Sequence, residues 1–151
     1  MQSFFSNDLQ NPKYLFHGSP YLLDEIEPKR AIDANHNSEN EDKAVFLTSS
    51  FVLASAYAFK DSIKALSEGL DWNFEIGYDA DNDEINILFE NVNLDDELEG
   101  YIYVFPYNEN YKHEGKSIQY KSYDSIKSPV IIKVKFSDFK KYYSINNTKS
   151  R

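Results

Sequence analysis

One stretch of this 151-residue chain has a helical period, and almost everything around it is divided into short strand-like runs. After Ser49 and Ser50, which carry N-cap chemistry, the apolar positions Val52, Leu53, Ala56, Phe59, Ile63 and Leu66 recur at a spacing near 3.6, predicting one helix that ends by Gly69. Strand patterns lie on either side of it. They cover residues 13–17, stopped by Gly18-Ser19-Pro20; 43–48; 72–76 and 84–89, flanking an Asp/Asn cluster; 101–105, stopped by Pro106; 117–121; and 130–136, with a short helix or turn over 137–142. Residues 22–27, ahead of Lys29-Arg30, are also strand-like. One long helix among many strands implies an α+β fold. No internal repeat or linker divides the chain, so residues 1–151 read as a single domain with a core over about 13–143 and short tails, the parts most prone to fray.

A chain of this length buries about 70% of the surface its unfolded form exposes. With 12 Tyr and 11 Phe it has the side chains to fill such a core, which excludes a disordered polypeptide. The absence of Cys removes disulfide frameworks, thiolate metal sites and cysteine nucleophiles. The 16 basic residues against 25 acidic ones leave a net charge of −9, which disfavours binding to a phosphate backbone. The first residues show neither a basic n-region nor a long apolar segment, and no run approaches 18 apolar residues; a cytoplasmic protein with no membrane association is expected. Arg occurs only at positions 30 and 151 while Lys and Asn are abundant, a composition that suggests an AT-rich bacterial or phage genome.

Asp79, Asp81 and Asp83 alternate, and Glu90 stands at the twelfth position of an EF-hand-like count. Glu84 occupies the sixth position, where the loop needs Gly, and strand patterns flank the cluster; a solvated hairpin loop is therefore expected rather than a calcium site. Residues 95–99 read as a charged turn before Gly100, and residues 33–42 as an exposed acidic loop. His36 and His113 have no ligand-like partner four residues on, so no metal site is expected. His17 differs, because an imidazole followed by Gly18 offers a side-chain hydrogen bond and accessible backbone groups at one spot. Taken alone, a strand-terminal histidine before a turn remains the simpler reading.

The residues around His17 carry more than that. Tyr14-Leu15-Phe16-His17-Gly18-Ser19 resembles the His-Gly-Thr/Ser strand of diphtheria-toxin-like ADP-ribosyltransferases and poly(ADP-ribose) polymerases. In that family the next strand carries an aromatic residue, and the following helix carries a tyrosine eleven positions later. Residues 44–57 are similar without a gap, with Phe46 at the first position and Tyr57 at the second. The family's Glu-Tyr-x-x-Tyr segment, followed by a hydrophobic strand, resembles Gln119-Tyr120-Lys121-Ser122-Tyr123 followed by residues 130–136. The three blocks keep their order over residues 13–136.

The resemblance implies a split β-sandwich ADP-ribosyltransferase-like fold with one main helix, and NAD as substrate in its cleft. By similarity His17 holds a ribose hydroxyl, the Gly18 backbone pairs with the nicotinamide carboxamide, Ser19 lines the same turn, and Phe46 and Tyr57 sandwich the nicotinamide. Phe46 in place of the usual Tyr keeps the stacking ring. A hydroxyl that the family's helix often supplies aligns with Ala54, which leaves that contact to Ser55 or Ser19. The catalytic set would be His17 and Gln119, with Gln119 at the place of the family's Glu. Breaking the nicotinamide–ribose bond develops oxocarbenium charge, and losing the carboxylate that stabilises it costs about 10²–10³ in rate.

Three readings follow from Gln119. The protein transfers a single ADP-ribose slowly to a protein or other acceptor, as a mono-ADP-ribosyltransferase of the glycosyltransferase class; it binds NAD or ADP-ribose without turnover; or Glu114 serves instead from another register. Processive polymer synthesis is not expected. Lys29-Arg30 would meet the pyrophosphate or stand as solvated surface. From a different class comes an acidic protein-interaction module whose net −9 suits a basic partner. Purely structural roles for Phe46, Tyr57 and Gln119 complete the alternatives.

Overall fold

The computed structural model describes residues 2–30 and 43–147. The loop expected over residues 33–42 lies outside the described residues. In chain order the elements are α1 (Gln2–Phe5), β1 (Tyr14–Ser19), β2 (Lys29–Arg30), β3 (Lys43–Thr48), α2 (Phe51–Leu66), β4 (Asn73–Asp79), β5 (Glu84–Glu90), β6 (Glu99–Pro106), β7 (Lys112–His113), β8 (Gln119–Ser122), β9 (Val130–Lys135), α3 (Phe136–Phe139), a 3₁₀ turn over Lys140–Tyr142, and β10 (Ser144–Asn146). The fold is α+β, mostly strands in two sheets with few helices. The large sheet runs β7-β8-β3-β1-β6-β9 with β2 attached to β3, and the small one runs β10-β5-β4.

The helix forms where its period predicts. Ser50 caps it by accepting the Leu53 N–H at 3.0 Å, and the chain leaves it after Leu66, with Gly69 in the left-handed region (φ 89°) three residues later. α2 lies between the two sheets. Ala54, Phe59 and Ile63 pack in one cluster with Phe16, Ile102 and Val104 of the large sheet, Ile87 and Phe89 of β5, and Phe136 and Phe139. Glycines let the helix approach the large sheet closely. A Cβ on Gly18 of β1 would overlap the Ala54 carbonyl oxygen and stand 2.9 Å from the Ala58 nitrogen, and one on Gly100 of β6 would stand 2.7 Å from the Ala58 Cβ. The opposite face of the sheet carries a second cluster built on Leu15, Val45, Leu47, Tyr103, Phe105 and Tyr120.

Several expectations need correction. β1 continues through Gly18 and Ser19, which pair with Ile102 and Tyr101 of β6, and ends at Pro20, which has no N–H to donate; His17 is therefore within the strand and not at its end. Residues 22–27 do not form a strand. Their only sheet-like contact among the described residues is the bridge between Ile26 and Ile126, because the Tyr103 hydroxyl engages the Tyr21 carbonyl and the Leu23 N–H and turns the segment across the sheet. The N-terminal residues join the core, where Phe4 contacts Tyr14, Phe16 and Phe51, and β10 pairs in parallel with β5.

The Asp-rich segment is the expected hairpin turn. Asp79 and Glu84 close the β4–β5 ladder, and the Asp79 carboxylate accepts from the Asp81 and Asn82 backbone and from the Asn82 side chain, contacts that hold its carboxyl below the usual range. Residues 95–98 likewise form a charged turn, with Asp96 beside Lys140 and Glu97 beside Lys135. Among the described residues no group of three or more His, Asp or Glu side chains is placed to hold a metal ion, and no helix is long and apolar enough to cross a membrane.

Candidate functional site

The large sheet opens between β1 and β3. These neighbours share one register pair, Phe16 with Thr48, whereas β1 pairs with β6 along all six residues and β3 pairs with β8 along four. At the other end of β3, β2 pairs with it through Ala44 with Lys29 and Lys43 with Arg30. The Phe16–Thr48 pair bounds the opening at one end.

Backbone alternation decides what faces it. In an antiparallel ladder, successive residues turn their N–H and C=O to opposite sides. Ser128 Oγ engages both the N–H (3.0 Å) and the C=O (2.7 Å) of Val104 from the β9 side, so Tyr103 turns to β1 and bonds with its register partner His17. Gly18, next along, turns its N–H and C=O into the opening. On the facing strand Ser49 bonds to Ile118 on the β8 side, so by the same alternation Phe46 turns its backbone groups into the opening as well. His17 spans the gap: its Nδ1 lies 2.9 Å from the Phe46 carbonyl oxygen.

Side chains sort by face. His17 projects from the face opposite α2, beside the Tyr103 ring (centroids 6.1 Å apart), into a cavity of about 160 Å³ that Ser19, Tyr21, Leu23 and Ile26 help to line. Ser19 is buried and its Oγ accepts the Tyr21 N–H at 3.1 Å. Phe46 and Gln119 lie on the α2 face, because the residues beside them, Leu47 and Tyr120, point into the other cluster. Gln119 is exposed and stands opposite Thr48; Lys121 stands opposite Phe46, its ammonium 5.7 Å from the ring centroid.

Tyr57 precedes Ala58 on α2, at the level of Gly18, and its ring edge meets Phe74 of β4 at 6.1 Å with the Lys60 ammonium nearby. Burial pushes the Tyr57 phenol above its ordinary range. Ser55 does not reach the opening. Its Oγ bonds to the Val52 carbonyl and the Tyr143 hydroxyl inside the core, so of the two candidate hydroxyls only that of Ser19 is near the gap. Glu114 is exposed in the turn between β7 and β8, next to Gly115 (φ 58°). β2 pairs the Lys29 and Arg30 backbone with Ala44 and Lys43 at the start of β3.

His17, Gly18, Ser19 and Phe46 thus meet at one opening and Gln119 shares the Phe46 face, while Tyr57 contacts Phe74 of β4. Sequence reasoning missed Thr48, whose pairing ends the gap, and Tyr103, whose hydroxyl fixes the cavity wall. Neither carries a local signal, since Tyr103 acts on residues 80 and 82 positions away. Comparison with protein-family models, with curated proteins and with solved structures finds no significant match to the chain.

Proposed function

We propose that the opening between β1 and β3 is a NAD site of ADP-ribosyltransferase type, in a domain with the split β-sandwich arrangement of that family. One observation carries the reading. Where β3 leaves β1, Gly18 turns a backbone donor and a backbone acceptor into the gap, the complement of a primary carboxamide, and His17 and Phe46 flank it. The nicotinamide enters on the α2 face between Phe46 and Tyr57, and the ribose lies towards His17. Stacking against two rings contributes about 0.5–1.5 kcal/mol each beyond area burial.

In the transfer reaction the bond between the nicotinamide nitrogen and ribose C1′ breaks, and the electron pair leaves with the nicotinamide, which becomes neutral. C1′ carries positive charge until an acceptor nucleophile adds and gives up its proton. Gln119 accepts a hydrogen bond from a ribose hydroxyl but supplies no negative charge, so transfer of a single ADP-ribose to a protein or other acceptor is slow, about 10²–10³ below a site with a carboxylate. The Lys121 ammonium over Phe46 favours a second reading, a catalytically silent module that holds NAD or ADP-ribose, because a cation near the forming oxocarbenium opposes it.

Calorimetric titration with NAD of the parent protein and of His17→Ala and Tyr57→Ala tests the site. Saturable binding that weakens at least about tenfold in each variant is expected; no binding at millimolar NAD would overturn the proposal. Gln119→Glu separates the two readings. A rise of about 10²–10³ in nicotinamide release marks a latent transferase, and no rise marks the silent module.

A further inference from the structure

One wall of the His17 cavity is a loop, residues 20–27, and hydrogen bonds at three places hold it. Ser19 Oγ accepts the Tyr21 N–H at its start, and Ile26 exchanges two backbone bonds with Ile126 (2.8 and 3.0 Å) at its end. Between them stands Tyr103. Its ring is buried beside His17, its register partner across β1 and β6, and its hydroxyl donates to the Tyr21 carbonyl at 2.8 Å and accepts the Leu23 N–H at 2.5 Å. Both lone tasks fall on one oxygen. Of the loop's side chains, Tyr21 and Leu22 are about two-thirds exposed (67% and 65%), while Leu23 and Ile26 pack with the cluster that contains Tyr103. A phenylalanine would fill the same space and leave the Tyr21 carbonyl and the Leu23 N–H without this partner, so the hydroxyl sets the loop's position rather than the packing of the core.

We propose that Tyr103 is a positioning residue for the ligand: through its hydroxyl it holds the Tyr21–Leu23 wall at a set distance from His17, and so shapes the half of the site on the face opposite α2. The inference rests on the NAD reading and goes beyond it, because it assigns the shape of that half to a residue on β6 that touches no part of the nicotinamide pocket.

The test is Tyr103→Phe, titrated with NAD, with ADP-ribose and with nicotinamide alone, alongside hydrogen exchange of the Leu23 amide in the ligand-free protein. Faster Leu23 exchange, NAD and ADP-ribose binding about tenfold weaker, and nicotinamide binding unchanged are expected. A merely structural role would weaken all three ligands together. Parent-like affinity for NAD in the variant, or unchanged Leu23 exchange, would overturn the positioning role while the NAD reading stands. Failure of the parent protein itself to bind NAD would overturn both.

Discussion

The two edges of β1 offer a controlled comparison. Along one edge all six residues are in register with β6; along the other only Phe16 has a partner in β3. Strand, side chains and local sequence are the same for both, yet one edge is scaffold and the other is the candidate site. Complete pairing satisfies backbone groups and leaves them nothing further to bind. Interrupted pairing leaves groups such as those of Gly18 turned towards β3 beyond the last register pair. The packing of α2 supports both edges at once, through Gly18 and Gly100.

Breaking that shared support has the largest expected effect. Gly18→Ala puts a methyl into the Ala54 carbonyl and forces helix and sheet apart, so denaturant unfolding should show a loss of about 3 kcal/mol or more, or no folded protein. Gly100→Ala meets the Ala58 side chain and carbonyl at 2.7 and 3.0 Å and should cost less, about 1–3 kcal/mol. Equal losses would contradict the tighter contact at β1.

The open half of the sheet also has a pH signature. Burial, with the Tyr107 and Tyr78 phenols nearby, pushes the Tyr120 phenol up to about 12 from an ordinary value of 10.0. Between those values the folded protein binds more protons than the unfolded chain. The associated stability is therefore complete below pH 10 and is lost as pH rises through about 12. Tyr120→Phe should remove up to about 2 kcal/mol of that alkaline loss, measured as the slope of unfolding free energy from pH 9 to about 11.5.

The smallest effect sharpens the comparison most. His17→Ala removes the contact with the Phe46 carbonyl that spans the gap, and should cost only about 1 kcal/mol, because no ladder of bonds depends on it. A loss several times larger would mean that His17 holds the two halves of the sheet together and that the opening is structural.

Much of the architecture was legible in the residues. The period of Val52 to Ile63 with Ser50 before it specified α2, and alternation with turn chemistry specified the β4–β5 hairpin and its Asp79 cap. The strand end at Gly18 was misplaced because glycine reads locally as a turn, whereas here it answers to a helix 36 positions away in sequence at Ala54. Residues 22–27 misled for a similar reason: their apolar pattern suits a strand, but a hydroxyl from β6 captured their backbone. Of the candidate site, residue types such as His17-Gly18-Ser19, Phe46 and Tyr57 were visible as a pattern. Their relation to one another was not.

What this sequence determined by itself is local: which segments have a helical or a strand period, and where Ser50 caps and Pro20 stops. Tertiary structure alone decided that β1 and β3 part after Phe16, that Gly18 lies beneath α2 with its backbone in the gap, and that Tyr103 anchors the wall facing His17. The physical reason is range. Period and capping depend on neighbours within a turn or two, whereas strand register and the closeness of a helix depend on contacts between residues tens of positions apart, which no local pattern encodes.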